Sequence, residues 1–151
     1  MDCTLGGGGH AAEIIRLGGL VLGLDQDPES ITACPDLVGL TKVLANFTHL
    51  AEVVTAHNWQ PTSGILLDLG VSEHQINTPG RGFSFQAPGP LDMRMDPSLP
   101  NTAATLVNQL SVEQLTSLFK DYGEIPVAKT LAAKIIAARP LMTTDQLANI
   151  T

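Results

Sequence analysis

The feature that most constrains the fold of this chain is a run of four consecutive glycines at residues 6–9. Each glycine loses more backbone entropy on folding than any other residue, so such a run is costly unless the backbone must approach a ligand closely. A helix is predicted to begin near His10, because apolar residues follow at helical spacing. The N–H groups and the positive dipole end of that helix would face the loop, which suits carboxylates and phosphates. The pattern therefore predicts a loop that cradles a cofactor.

A short apolar strand over residues 20–25 follows this helix and ends in the carboxylate Asp25. This order of elements indicates a parallel βαβ unit. In nucleotide-binding α/β folds an acid roughly 20 residues after the glycines accepts hydrogen bonds from a ribose, and Asp25 has about that offset. Asp27, followed by Pro28 and Glu29, is predicted to cap the next helix, which leaves Asp25 for a ligand. A glycine loop that is only a turn, with Asp25 as a cap, remains the alternative.

Strands and helices alternate over the first 70 residues. After a strand stub at the start, strands are predicted at residues 20–25, 40–45 and 64–70, with helices at 28–33 and 48–57 between them. The alternation predicts an α/β fold with a doubly wound parallel sheet. Ligands of such sheets bind beyond the carboxyl ends of the strands. The glycine loop, Asp25, Phe47 and Asp68 lie at or near those ends, so we expect them to converge on one crevice.

The rest of the chain changes character twice. Residues 71–100 have no periodicity but hold several large apolar side chains, which favours a folded functional loop over a linker. From residue 101 helices resume, with capping boxes that begin at Ser111 and Thr143 and an apolar stripe after Pro126. We predict a partial binding core over residues 1–100, including the functional loop 71–100, and a partial helical subdomain over residues 101–151.

Composition narrows the class of protein further. The chain has 151 residues, 44% of them hydrophobic, which is enough for one core. No apolar run approaches the ~20 residues that cross a bilayer and the start lacks signal-peptide features, so we expect a cytoplasmic protein without a membrane partner. Cys3 and Cys34 are predicted to be reduced thiols, and the four histidines show no ligand spacing, so no metal site is expected.

Charge is distributed unevenly along the chain. The net charge is −7, with nine acidic and two basic side chains in residues 1–80 and six of each in residues 81–151. Lys120, Lys129, Lys134 and Arg139 fall in one helical region, where they could meet a polyanion. A solvated helix face explains the same lysines equally well.

Five segments together resemble the MraW/RsmH family. Members of this family are S-adenosylmethionine-dependent methyltransferases that methylate the N4 atom of a cytidine in small-subunit (16S) ribosomal RNA. The resemblance runs in order across nearly the whole chain and is most specific in the last segment. The segments are residues 2–10, 25–28, 67–72, 81–85 and 89–96.

The resemblance implies a fold and a set of site residues. The fold would be the Rossmann-like doubly wound sheet of class I methyltransferases, here incomplete and with an all-helical inserted subdomain. Asp68, at the end of the strand predicted over residues 64–70, is our candidate for the catalytic residue; it could orient the cytidine amino group or the cofactor, and the resemblance supports only the cofactor role. Asp92 and Arg94 in the functional loop are candidates for holding the base or a phosphate, with an internal ion pair as the alternative. The family's S-adenosyl-L-methionine contacts fall on Gly8, Gly9, His10, Asp25, Phe47, Asp68 and Gln75.

Family members usually have a segment before Asp2 and further strands after the helical insertion, so this chain is expected to be a fragment. The implied partner is small-subunit ribosomal RNA or the ribosomal subunit, and a homodimer is left open.

Two other functions also stay open. Gly6, Gly8 and Ala11 fit a dinucleotide fingerprint with Asp25 as its acid, which would make the chain an NAD-dependent dehydrogenase. A noncatalytic RNA- or ribosome-binding fragment is the alternative from a different class. Binding of S-adenosylmethionine or NAD separates them.

Overall fold

The computed structural model describes residues 1–150, and the chain divides into two compact units, Met1–His74 and a second unit that begins at Gln75. Helices at the start of the first unit alternate with two parallel strands. The elements in chain order are α1 Gly9–Arg16, β1 Val21–Asp25, α2 Pro28–Ala33, β2 Leu40–Leu44, a 3-10 turn Phe47–His49, α3 Leu50–Ala56, α4 Glu73–Asn77, a 3-10 turn Pro79–Arg81, α5 Ala103–Gln109, α6 Val112–Asp121, α7 Ala128–Ala137 and α8 Thr144–Ala148.

Four chain segments lie side by side in the first unit. Strands β1 and β2 pair in parallel from Val21 opposite Leu40 to Asp25 opposite Leu44. Asp2 forms parallel bridges with Gly23 on one side and Leu66 on the other. The segments therefore run in the order β2, β1, residues 1–5 and residues around 66, and the chain start lies between the other segments.

Helices pack on both faces of these segments because apolar side chains point both ways. Leu22 and Leu24, both fully buried, pack with Val53 of α3 on one face. Val21 packs on the other face with Leu5, Ala11 of α1 and Cys34 after α2. Alternate residues of β1 thus enter two different apolar clusters, as expected for a strand covered on both faces.

The predicted strand over residues 64–70 is wrong as an extended element. Pairing with the chain start is limited to Gly64 and Leu66. The Gly64 carbonyl accepts from the Met1 N-terminus at 2.7 Å. The Leu66 N–H donates to the Met1 carbonyl at 2.9 Å, and the Leu66 carbonyl accepts from the Cys3 N–H at 2.9 Å. The Asp68 N–H then donates to the Thr4 side chain instead of a backbone carbonyl. This replaces the next backbone bond and ends the pairing. Ile65, Leu67 and Leu69 are exposed.

The predicted helix over residues 48–57 was also partly wrong. The segment begins with the 3-10 turn Phe47–His49, capped by the Asn46 side chain, which accepts from the Thr48 N–H. The α-helix proper is Leu50–Ala56. The predicted cap of α2 is confirmed, since the Asp27 side chain accepts from the Glu29 N–H.

The second unit has its own core among four helices and the loop that precedes them. Both predicted capping boxes are confirmed, at Ser111 with Gln114 and at Thr143 with Gln146. The predicted stripe on α7 is buried at Ala128, Ala132 and Ile135. The core residues are Leu91, Val107, Leu115, Ala132, Ile135 and Leu141.

The loop residues before α5 are held against these helices. The Leu91 N–H donates to the Met142 carbonyl at 3.0 Å, and the Ala104 N–H donates to the Leu91 carbonyl at 2.7 Å. The boundary between the two compact units falls after His74, so the loop residues that precede α5 belong to the same unit as the helices. The predicted domain boundary between residues 100 and 101 stays a prediction for the whole protein. No helix within residues 1–150 has the length and apolar character needed to span a bilayer.

We expect Leu22→Ala to lower the free energy of unfolding of the first unit by about 2–5 kcal/mol, because it removes a fully buried side chain from a packed face. Leu44→Ala is the matched control, since Leu44 lies on the neighbouring strand but is 57% exposed. Its cost should stay within about 0.5 kcal/mol. Urea unfolding followed by circular dichroism measures both, and equal costs would contradict the packing described here.

Candidate functional site

The glycine loop leads into the uncapped start of α1. Gly8 precedes the helix with a φ of 81°, in the left-handed region, and no side chain caps the helix N-terminus. A Cβ at Gly8 would lie 2.6 Å from the Cys34 Sγ, so the packing of the fold itself requires this glycine. A Cβ at Gly9 would meet nothing within 4 Å. Packing therefore does not explain why Gly9 lacks a side chain, and a ligand at the helix start would.

Asp25 at the end of β1 is tied to the loop. Its Oδ2 accepts from the Gly6 N–H at 2.8 Å and its Oδ1 accepts from the Asp27 N–H at 2.9 Å. These bonds fix the orientation of the carboxylate. Each oxygen of an ionised carboxylate has a second lone pair, so Asp25 can also accept from ligand hydroxyls.

Asp2 is a buried carboxylate that the sequence interpretation did not single out. It is 0% exposed; its Oδ1 accepts from the Thr4 N–H at 3.2 Å, and its Oδ2 has no hydrogen-bond partner. Burial raises the pKa of Asp2, while the Thr4 N–H and His10 act to lower it. A buried carboxylate oxygen without a donor is costly. It marks a place where a cationic or N–H-bearing group would be stabilised.

The remaining first-unit candidates lie beyond the ends of the paired segments. Asp68 is exposed, and its N–H donates to the Thr4 Oγ1 at 2.8 Å. Phe47 lies shortly after the end of β2. Ala45, the residue directly after β2, donates its N–H to the Asp25 carbonyl at 2.9 Å. The Phe47 side chain is 37% exposed, so it is not a buried core aromatic. Hydrogen bonds thus connect Asp25 and Asp68 through residues 2–6.

Gln75, Asp92 and Arg94 belong to the second unit. Gln75 is 4% exposed and lies on α4. Arg94 Nε and Nη2 donate to the two oxygens of Asp92 at 2.8 and 2.7 Å, and the guanidinium lowers the pKa of that carboxyl. The structure therefore brings Asp92 and Arg94 together as an ion pair within the loop.

The third guanidinium nitrogen of Arg94 also has acceptors inside the loop. Its Nη1 donates to the carbonyls of Pro97 at 2.8 Å and Leu99 at 2.7 Å. All three guanidinium nitrogens thus have acceptors within the loop, and these bonds stabilise the segment that follows Asp92.

A cavity of about 720 Å³ opens at the opposite ends of the strand segments. Its lining includes Leu20, Trp59 and Gly64, which stand before β1 or before Leu66. None of the candidate residues lines it. Within residues 1–150 there is also no cluster of three or more His, Cys, Asp or Glu side chains that could hold a metal ion. Cys3 and Cys34 are free thiols, and burial raises the pKa of both.

The first unit is therefore an α/β protein in which a glycine loop and two acids follow the ends of neighbouring parallel segments. The sequence model of the MraW methylase family matches residues 1–151. The chain belongs to the MraW methylase family, as its motifs indicated.

Curated relatives align over almost the whole chain. A protein of Symbiobacterium thermophilum named ribosomal RNA small subunit methyltransferase H is 43% identical over 161 residues, covering 99% of this chain and 51% of the relative. Relatives of the same name in Desulfosudis oleivorans and Cytophaga hutchinsonii are 42% and 40% identical, with 99% of this chain and 51% and 53% of the relatives covered. The chain spans about half the length of the curated relatives it matches.

We expect Asp2→Asn to increase stability at neutral pH by about 0.5–2 kcal/mol, in the range of substitutions that relieve a functional constraint. The folded-state pKa of Asp2 is raised, so its ionisation costs stability as the pH rises from the unfolded-state pKa through the folded-state pKa. The gain of the variant should therefore shrink toward pH 3, where the carboxyl is protonated in both states. Urea unfolding at several pH values measures it.

Asp36→Asn is the control for this experiment. Lys42 lowers the pKa of Asp36, so its ionised form favours folding, and the substitution should decrease stability at neutral pH. That loss should fade as the pH falls through the lowered folded-state pKa. A gain from Asp2→Asn that does not depend on pH would contradict the assignment of the buried charge.

Proposed function

We propose that the whole protein transfers a methyl group from S-adenosyl-L-methionine to the N4 atom of a cytidine in small-subunit ribosomal RNA, in the cytoplasm. The observation that carries the proposal is the connected set of loop, Asp25, Asp2 and Asp68 in a chain of the MraW methylase family. Relatives named as methyltransferases favour this function over an NAD-dependent dehydrogenase and over a noncatalytic RNA- or ribosome-binding fragment. The partner would be small-subunit ribosomal RNA or the ribosomal subunit.

The fold we propose for the whole protein is a Rossmann-like doubly wound sheet with a helical inserted subdomain. Two observations support it: helices cover both faces of β1, and the segment order reverses at residues 1–5. Strand β1 and then β2 lie on one side of residues 1–5, and the next segment along the chain, around Leu66, lies on the other side. Such a switch point is where open α/β sheets bind their ligands.

The first unit offers complementary groups for each part of S-adenosylmethionine. The methionine part carries a carboxylate beside an ammonium group; the uncapped N-terminus of α1, with Gly8, Gly9 and His10, suits the carboxylate. The unpartnered Asp2 Oδ2 suits the ammonium group. The residues present therefore fit the amino-acid end of this cofactor.

The nucleoside part fits the acids and the aromatic residue beyond β1 and β2. Asp25, held by two backbone N–H groups, would accept from the ribose hydroxyls. Phe47, partly exposed, would contact the adenine. Gln75 is proposed as a further contact on the strength of the family resemblance.

The cofactor, when bound, supplies an electrophilic methyl group on a sulfonium. This chain would contribute alignment, because the transfer requires the acceptor nitrogen and the methyl group to be held in line. Asp68 is the proposed catalytic residue. It would orient the cytidine amino group, which must lose a proton as the methyl group is transferred, or it would orient the cofactor. Asp92 and Arg94 are proposed to shape the loop that meets the base or phosphate, through the ion pair they form.

Calorimetric titration of the 151-residue chain with S-adenosylmethionine and with NAD tests the cofactor assignment. We expect S-adenosylmethionine to bind and NAD not to bind. In Gly9→Ala the new methyl group would enter the open space at the start of α1 and weaken S-adenosylmethionine binding about tenfold or more, a loss of about 1.4 kcal/mol or more. The same variant should be as stable as the unsubstituted chain or more so, because alanine is the better helix former by about 0.5–1 kcal/mol.

Gly64→Ala is the control, since a Cβ at Gly64 also meets nothing within 4 Å. It should leave the affinity for S-adenosylmethionine unchanged. NAD binding without S-adenosylmethionine binding would overturn the proposed function, and unchanged affinity in Gly9→Ala would remove the helix start from the site.

Methyl transfer itself is expected to need the remainder of the protein, because this chain covers only 51% of its Symbiobacterium relative. A chain extended to the length of the relatives should incorporate radiolabelled methyl groups into small-subunit ribosomal RNA. The 151-residue chain should do so at least tenfold more slowly. Equal activity of the two would show that both sites are complete within these residues, and light scattering on each sample reports whether either forms a homodimer.

A further inference from the structure

The pairing between residues 1–5 and the Leu66 segment stops at one particular side chain. In a parallel ladder the residue opposite Asp2 bonds to residues 1 and 3, as Leu66 does with Met1 and Cys3. The same pattern would next have the Asp68 N–H donate to the carbonyl of Cys3. Instead the Asp68 N–H donates to the Thr4 Oγ1 at 2.8 Å. A hydroxyl group thus takes the place of the backbone acceptor.

Thr4 also leaves the ladder on its other side. Its N–H donates to the Asp2 Oδ1 at 3.2 Å, and the next residue, Leu5, donates its N–H to the Leu24 carbonyl at 2.9 Å. Thr4 is therefore a point at which the backbone follows neither neighbour. Thr4 stands one residue away from the glycine loop, with Leu5 between them, at the place where the segment order reverses.

We propose that Thr4 is a positioning residue, whose hydroxyl holds Asp68 at the distance from the glycine loop that cofactor binding requires. This rests on the proposed function, because it takes Asp68 to be a cofactor-binding residue. The hydroxyl separates the Asp68 backbone from the Cys3 carbonyl and so keeps the two segments apart at their carboxyl ends. Thr4 fills this role well because its branched side chain has few χ1 rotamers and its oxygen is held in place.

The first test compares three variants by calorimetric titration with S-adenosylmethionine. Thr4→Val keeps the shape of the side chain but removes the acceptor, and we expect it to weaken binding about 5- to 15-fold. Thr4→Ser keeps the acceptor and should stay within about twofold. Thr62→Val is the control, because the half-buried Thr62 hydroxyl donates to the Trp59 carbonyl at the other end of the unit. It should leave the affinity unchanged.

The second test asks whether Thr4 acts through Asp68. In an Asp68→Ala background, Thr4→Val should weaken binding by less than about a further twofold, because the residue it positions has lost its side chain. An unchanged 5- to 15-fold loss in that background would overturn the proposal, as would unchanged affinity in Thr4→Val alone. Should Thr4→Val fail to fold, Thr4→Ala replaces it in both backgrounds.

Amide hydrogen exchange gives a readout that does not need the cofactor. Exchange at the Asp68 N–H should be at least about tenfold faster in Thr4→Val than in the unsubstituted chain, and close to normal in Thr4→Ser. Equal exchange rates in all three would overturn the proposal. If the unsubstituted chain binds no S-adenosylmethionine, the proposed function fails, while the exchange rates still decide whether Thr4 holds Asp68.

Discussion

The structure of the first unit depends on the backbone of Asp2. Its N–H donates to the Leu22 carbonyl, and its carbonyl accepts from Leu24. The adjoining Met1 carbonyl and Cys3 N–H bind Leu66. One residue thus joins segments that lie 20 and 64 positions further along the chain. Two candidate residues of this unit, Asp25 and Asp68, are held by hydrogen bonds to residues 4–6, which directly follow this segment.

The same residue shows how a site opposes stability. The backbone of Asp2 stabilises the centre of the sheet, while its carboxylate is buried with one oxygen unpartnered. An apolar side chain there would pack without this cost. Conflicts between local stability and a retained polar group are typical of functional sites. The open space at Gly9 and the uncapped helix start belong to the same pattern, since each leaves the fold less stable than it could be.

Features set by near neighbours could be predicted from the sequence. The cap at Asp27 and the boxes at Ser111 and Thr143 depend on residues two to three positions away, and all three are confirmed. The early end of the pairing after Leu66 could not be predicted, because it depends on a Thr4 hydroxyl that lies 64 positions before Asp68. Asp2 was missed for a related reason: its burial comes from distant segments. A single acid among the apolar residues of the strand stub was the signal that could have found it.

The arginines of the second unit form hydrogen bonds within the unit. Arg81 is 7% exposed and donates to the carbonyls of Arg94 and Met95, and Arg139 donates to the carbonyls of Val107 and Leu110. With Arg94 engaged by Asp92, all three arginines of this unit have intramolecular partners. If the proposed RNA meets this unit, the three lysines of α6 and α7 would be the main source of counterion release within it. Because each phosphate contact contributes a slope of about −0.7 to −0.9 to the dependence of log K on log salt, attraction to RNA through this surface would be only modestly sensitive to ionic strength.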